Sequence, residues 1–390
     1  MGVTGGYISQ ADARDGQIRA PGHRPLMFAY LGARGALPKF ALDLAHVAAM
    51  RPDMSCTFMV SRANELFEHF SPLNDNLFAV PTFDNKWRSA LAWSALRNLR
   101  ARLNERLHDD RTQAFVSLMP HIWSPLFGPM IRKAGVRHIV VMHDADPHPG
   151  DTYALVNRWL LREAAMADHV ITLSRYVAQR LTAACAIPKE KISVLFHPDL
   201  NYGAVSDAPV NEHGALRVLF MGRLLSYKGL GLLLDAVEIL RVQNVPLQLG
   251  VFGQGEIEPS LRRRLSTLRA QVKNRWLHYD EIRPILARHD VLVAAHTEAS
   301  QSGVVAAALG AGLPVVTTPV GGLVEQVDPG VTGIVAQSVT PDALARAIRE
   351  LADDRVRLGR LRQGIATTCE QRSMKRFFDD VCQIAFPQKS

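Results

Sequence analysis

Short apolar runs alternate with stretches of helical period along the chain, and the alternation restarts once near the middle. The first run, Leu26–Leu31, leads into Gly32-Ala33-Arg34-Gly35 and then an apolar-periodic stretch from Phe40 to Met50. Strand, glycine turn and helix in that order open a doubly wound sheet. Further strands are predicted at Cys56–Val60, Ala114–Leu118, His138–Met142 and His169–Leu173, with helical stretches at Pro149–Ala167 and Tyr176–Cys185. From Pro198 to Gly214 the rhythm breaks, and prolines and glycines among polar residues give this stretch the composition of a linker.

After the break the pattern repeats. Strand Leu216–Met221, helix Gly229–Leu240, strand Leu247–Phe252 and helix Glu258–Val272 are followed by strand Val291–Ala294, helix Gly303–Gly310, strand Pro314–Thr317 and helix Pro341–Asp353. This is an α/β protein of two doubly wound, Rossmann-like halves with mostly parallel sheets. The expected division is a disordered lead-in over 1–22, a first domain over 23–200, a linker over 201–214 and a second domain over 215–370. The remaining segment, 371–390, carries an amphipathic helix with Phe377, Phe378, Val381 and Ile384 on one side, suited to packing back on the first domain.

Size and composition agree with this division. At 390 residues the chain exceeds one ordinary core, and 47% hydrophobic with 21% charged residues is usual for a globular protein. No apolar run is long enough to span a bilayer. Cys56, Cys185, Cys369 and Cys382 are scattered without metal or disulfide spacing, so the default compartment is reducing and cytoplasmic. The net charge of +8 suggests an anionic partner without choosing among nucleotide, lipid headgroup and nucleic acid.

Two segments narrow that choice. In "RVLFMGRLLSYKGLGLLLDAV" a buried strand ends at Gly222, which permits close backbone approach, and Arg223 and Lys228 follow as fixed positive charge. That is what a diphosphate needs at the carboxyl end of a strand, although both cations are also ordinary loop residues taken alone. In "HTEASQSGVVAAALGAGLPVVTTPVGGLVE" Glu298 precedes a helix opened by Ser302 and Gly303. Free N–H groups and the macrodipole there attract phosphate, while a simple N-cap at Ser302 and a surface carboxylate at Glu298 are the plainer alternatives.

The order and separation of these two segments resemble the retaining glycosyltransferases of GT-B fold, glycosyltransferase family 4. The resemblance runs over about 138–335, supported by "VFGQGE" with Gly253 and Gly255, "PVVTTPVGGLVE" and "GVTGIVA". It implies two domains facing each other across a cleft and a nucleotide-diphosphate sugar as donor. Arg223 and Lys228 would then hold the diphosphate, with the amides of Gly303 and Val304, and Glu298 would hold sugar hydroxyls. The family has a second glutamate eight positions after the first. Here the matching helical position is Ala306 or Ala307, which leaves the ribose contact unassigned. Likewise His197-Pro198 stands where the family has Pro-Asn-Gly.

In the first half, "VVMHDADPHPGD" follows a strand and admits three readings. Asp144 and Asp146 form a candidate metal pair; His143 matches the histidine that the family places near the donor sugar; or the segment is a solvated loop capping the next helix. Arg223 and Lys228 already supply the charge that Mg²⁺ would otherwise bring, so no metal and no other cofactor is expected. The implied chemistry is transfer with retention, the departing diphosphate helping to remove the acceptor proton, with a glycan or lipid-linked saccharide as acceptor. The Gly32–Gly35 loop with Arg34 would face the same cleft.

One stretch bears on location. Over 86–107, Leu91, Leu96, Leu99, Leu103 and Leu107 recur at helical spacing beside Lys86, Arg88, Arg97, Arg100, Arg102 and Arg106. Such a helix lies on an anionic membrane surface or covers a sheet with its leucine side. Among competing functions, a non-catalytic sugar-nucleotide-binding subunit fits the missing glutamate. A nicotinamide-dependent dehydrogenase lacks a clean Gly-x-Gly-x-x-Gly turn. Nucleic-acid binding would rest on net charge alone.

Overall fold

The computed structural model describes residues 24–82, 92–145, 154–185, 187–204 and 214–387. The lead-in over 1–22 lies outside the described residues, as do Lys86, Trp87, Arg88, Leu91, Asp146, His148 and Asp151.

The first half is built on strands β1 (Arg24–Tyr30), β2 (Met54–Ser61), β3 (Leu77–Val80), β4 (Ala114–Ser117), β5 (Arg137–Met142), β6 (His169–Thr172) and β7 (Ile192–Val194). All pairs are parallel, and the sheet order is β3-β2-β1-β4-β5-β6-β7. The second half repeats the scheme with β8 (Leu216–Met221), β9 (Leu247–Gly253), β10 (Gln271–Asn274), β11 (Val291–Ala294), β12 (Val315–Thr317) and β13 (Gly333–Val335), ordered β10-β9-β8-β11-β12-β13 and again parallel. In each sheet the winding reverses beside the first strand, between β1 and β4 and between β8 and β11. Ligands of open parallel sheets sit beyond the strand carboxyl ends at that reversal.

The inner strands are apolar on both faces because helices cover both sides. On one face of the first sheet, α1 (Leu37–Ala49) packs Phe40, Leu42 and Leu44 against Phe28 and Phe58. On the other, α2 (Ala92–Asp109) buries Leu96, Leu99, Leu103 and Leu107 with Phe115 and Phe127. The leucine side that was a candidate membrane face is therefore core. Arg97, Arg100 and Arg102 remain exposed, and Arg102 lies over the Phe78 ring at 5.3 Å.

Two sequence expectations change. The helix expected over Glu258–Val272 is α7 (Pro259–Thr267), stopped at Arg269, whose φ is +53°. The chain then enters β10, a mostly exposed polar edge strand without the apolar run that marks a strand. The linker is also less detached than its composition suggests: Leu200 is fully buried, its N–H donates to the Ala306 carbonyl at 3.1 Å, and the Asn201 N–H donates to Asp43 Oδ2 at 2.9 Å.

The last helix, α13 (Met374–Ala385), returns to the first half. Phe377, Phe378 and Val381 are fully buried in the core of the first sheet, Phe377 edge-on to Phe40 at 5.3 Å, while Ile384 is partly buried beside them. Arg51 pairs with Asp379, and Arg372 reaches Asp199 at 3.0 Å. The chain end thus straps the second half to the first.

Candidate functional site

At the end of β8 the chain turns through Gly222, whose φ of +121° favours glycine. Gly253, at the end of β9, has φ +144°, and a Cβ there would lie 1.7 Å from the Gly222 carbonyl oxygen. The two strand ends meet backbone to backbone, leaving a floor free of side chains. Arg223 and Lys228 flank it. An N–H of Arg223 donates to Tyr227 Oη at 3.2 Å, and Lys228 Nζ lies 4.9 Å from the Tyr227 ring centroid and donates to His296 Nε2 at 2.8 Å. Burial, with the Arg223 charge adding to it and Asp144 opposing it, pushes the Lys228 pKa down to about 8. A cation held this way gains from any anion that arrives.

The second arm of the site is the start of α9 (Gly303–Gly310). Ser302 occupies the N-cap position without a side-chain cap bond, and its buried Oγ has no hydrogen-bond partner among the described residues. Its own N–H donates to Gln326 Oε1 at 2.7 Å. The next two N–H groups, of Gly303 and Val304, belong to the first helical turn, which has no intrahelical acceptor for them. A Cβ on Gly303 would come 2.3 Å from the Ala36 Cβ, so glycine here lets the first half close directly on the helix start.

The first half supplies the facing wall. His143 follows β5, is only 5% exposed, and its Nε2 donates to the Leu118 carbonyl at 2.8 Å. Its Nδ1 accepts from Gln301 Nε2 at 2.6 Å, across the cleft. Burial lowers the His143 pKa, so the ring is neutral. Further out, Glu65 accepts from the Gly35 N–H at 3.0 Å and from Trp276 Nε1 at 2.8 Å, and Arg34 lies over the Trp276 ring at 5.9 Å. Together these groups enclose a cavity of about 620 Å³, of a size for a nucleotide-sized ligand.

Most of the residues singled out from sequence converge here: Arg34, His143, Gly222, Arg223, Lys228, Gly253, Ser302, Gly303 and Val304 all line the cavity. Two do not. Gly32 packs instead on Tyr30, where a Cβ would meet the phenol oxygen at 2.5 Å. Glu298 is exposed and absent from the lining, because the loop turns Ala299 and Ser300 inward and the glutamate outward. Asp144 lines the cavity, but no cluster of three metal-ligating side chains exists among the described residues. Ala307, one of the two positions matching the family's second glutamate, faces the cavity with only a methyl group.

Sequence reasoning missed Gln301, Glu65 and Trp276. Gln301 stood inside the quoted motif, directly before the predicted phosphate turn at Ser302-Gly303. Glu65 and Trp276 meet over 211 positions of sequence and carry no local signal.

Comparison with known proteins agrees with this geometry. Residues 59–198 match the family model described as Glycosyltransferase Family 4, and residues 215–354 the model described as Glycosyl transferases group 1. The chain is 28% identical over 272 residues to a GDP-mannose-dependent α-(1-6)-phosphatidylinositol monomannoside mannosyltransferase of Mycolicibacterium smegmatis, covering 63% of this chain and 68% of that protein. It is 25% identical over 228 residues to the amylovoran biosynthesis glycosyltransferase AmsK of Erwinia amylovora, covering 55% of each. Against an uncharacterised glycosyltransferase of Methanocaldococcus jannaschii the match spans 60% of the relative's length. Among solved structures, Anabaena HepE in complex with UDP-glucose superposes with a TM-score of 0.68 at 16% identity, over 93% of this chain and 100% of that one. With each half matched by a glycosyltransferase model and the fold shared across nearly its whole length, the chain belongs to the group 1, family 4 glycosyltransferases of GT-B fold.

Proposed function

We propose that the protein moves a sugar from a UDP- or GDP-linked donor to a hydroxyl of a glycan or lipid-linked saccharide, with retention at the anomeric carbon, in cell-surface or exopolysaccharide synthesis. One observation carries this reading: Arg223, Lys228 and the α9 start converge on a glycine-floored cavity that the other half closes. Fixed cations and backbone N–H groups stabilise a departing diphosphate without reorganising during the reaction. Closure of the first half excludes water and holds the acceptor on the same face as the leaving diphosphate. In this reading the leaving diphosphate itself takes up the acceptor proton on the same face. The two cations and the amides neutralise it, so no metal or other cofactor is required.

A second reading is favoured by one observation. Ala307 puts no carboxylate where the family's ribose contact would be, which suits a subunit that binds nucleotide sugars without turning them over. The two readings separate in one experiment. Nucleotide sugars are screened for thermal stabilisation of the protein, and the hits are assayed for release of free UDP or GDP. Release supports the enzyme; stabilisation without release with every donor and acceptor supports the binding subunit.

In this reading the protein attaches to the inner face of a membrane, held by charge alone. The leucine side of α2 is core, so only its exposed arginines face an anionic lipid surface. Among the described residues no helix is long and apolar enough to cross a membrane.

A further inference from the structure

Four residues outside the cavity lining join the first half to the start of α9. They form α10 (Leu323–Gln326), a single turn entered through Gly321 and Gly322. Gly321 has φ +48°, and a Cβ there would lie 1.7 Å from the Ala299 carbonyl oxygen. A Cβ on Gly322 would lie 1.9 Å from the Ser300 oxygen, so the turn is pressed backbone to backbone on the loop that leads into α9. Gln326 then holds that loop with both ends of its amide. Its Oε1 accepts the Ser302 N–H at 2.7 Å, and its Nε2 donates to the Ser302 carbonyl at 3.2 Å. The same carbonyl accepts the Ala306 N–H and so begins the α9 ladder. Gln326 therefore sets the direction in which the Gly303 and Val304 N–H groups leave the helix.

The adjacent side chain reaches the other half. Glu325 meets the start of α5 (Arg175–Cys185), where its Oε2 accepts the Arg175 N–H at 2.8 Å and its Oε1 the Tyr176 N–H at 3.0 Å. These N–H groups have no acceptor within their own helix. The next one, of Val177, donates to Ser174 Oγ at 3.2 Å, and that hydroxyl donates across the cleft to the Ser300 carbonyl at 3.2 Å. A carboxylate on two N–H groups at the positive end of a helix makes charge-assisted bonds. A helix of the first half is thus capped by the second half, through the neighbour of the residue that holds Ser302. Opening of the halves would leave those N–H groups to water and free α10.

We propose that α10 couples closure of the halves to the α9 start: Glu325 docks it on α5, and Gln326 passes that fixed position to Ser302. Both are positioning residues, since neither lines the cavity. Coupling is reciprocal, so a diphosphate that engages the α9 start tightens the α5 cap, and loss of the cap weakens the diphosphate. Only this last consequence rests on the nucleotide-sugar reading above.

The test uses the full-length protein, with amide exchange read by NMR and UDP and GDP as calorimetric probes. Glu325→Gln is isosteric, but it loses the charge and turns an NH₂ toward one of the α5 N–H groups. Without nucleotide it should speed exchange of the Ser302 amide about tenfold, although Glu325 does not bond Ser302. Gln326→Ala should in turn speed exchange at Arg175 and Tyr176. Each variant should bind UDP or GDP about five- to a hundredfold more weakly, with an unfolding transition in urea showing that it is folded. If Gln326→Ala does not fold, Glu325→Gln decides alone. A cap of purely structural worth would lower the unfolding midpoint yet leave the Ser302 amide and the nucleotide Kd as in wild type, and that result would overturn the coupling. A wild type that binds neither nucleotide overturns the nucleotide-sugar reading instead, and the exchange measurement, which needs no ligand, then decides the coupling.

Discussion

Lys228 combines burial with a location beside Arg223, and this makes its charge conditional. In the free protein it releases its proton near pH 8, whereas a bound diphosphate favours the ammonium. Nucleotide affinity should therefore be full below that pH and decline above it. Gly303 is the second residue that acts through what it lacks. Gly303→Ala adds a methyl group against Ala36, and overpacking of about 1–3 kcal/mol should hold the halves apart and weaken UDP binding about tenfold or more. An unchanged Kd would show that closure does not pass through this contact. The meeting of Gly222, Arg223 and Lys228 at one cavity was legible in sequence because glycine, arginine and lysine follow a strand in an order with a local physical cause. Glu298 lies outside the cavity lining for a reason the sequence does not carry: whether a loop carboxylate points in or out depends on which neighbours the loop buries, here Ala299 and Ser300. Gln301 escaped notice because its orientation is set by a histidine 158 positions away.

The elements predicted from apolar runs are the inner strands of both sheets. Those not foreseen, β3, β7, β10 and β13, are the four sheet edges. An edge strand covers less core and keeps one hydrogen-bonding side toward solvent, so its sequence need not be continuously apolar. The polar β10 shows this most plainly, having been read as the end of a helix. By contrast α13 was legible from its phenylalanine stripe, since an amphipathic helix announces its buried side wherever it docks. Its docking makes the first half depend on the chain end. Phe377→Ala should cost about 3–5 kcal/mol and lower the unfolding midpoint in urea. A variant as stable as the wild type would mean that the strap carries no stability.

At the scale of the molecule, two similar sheets present their strand carboxyl ends to each other, and positive charge gathers where they meet. The excess charge of the whole chain has a second outlet on α2, whose arginine side is exposed. With its leucines committed to the core, attachment to anionic vesicles should be purely electrostatic. Co-sedimentation with phosphatidylserine vesicles should appear at low salt and vanish as the Debye length contracts toward about 8 Å. Binding that resists salt, or no binding at low salt, would remove this placement.

The central claim, that the cleft grips a nucleoside diphosphate through Arg223, Lys228 and the α9 start, is tested most directly by calorimetric titration of UDP and GDP between about pH 7 and pH 9, into wild type and Lys228→Ala. Wild type should bind one of the two nucleotides, take up a proton on binding near pH 8, and lose affinity above it. Lys228→Ala should bind about ten- to hundredfold more weakly with that pH dependence gone. Equal affinity in the two proteins, or binding with no proton uptake, would contradict the account.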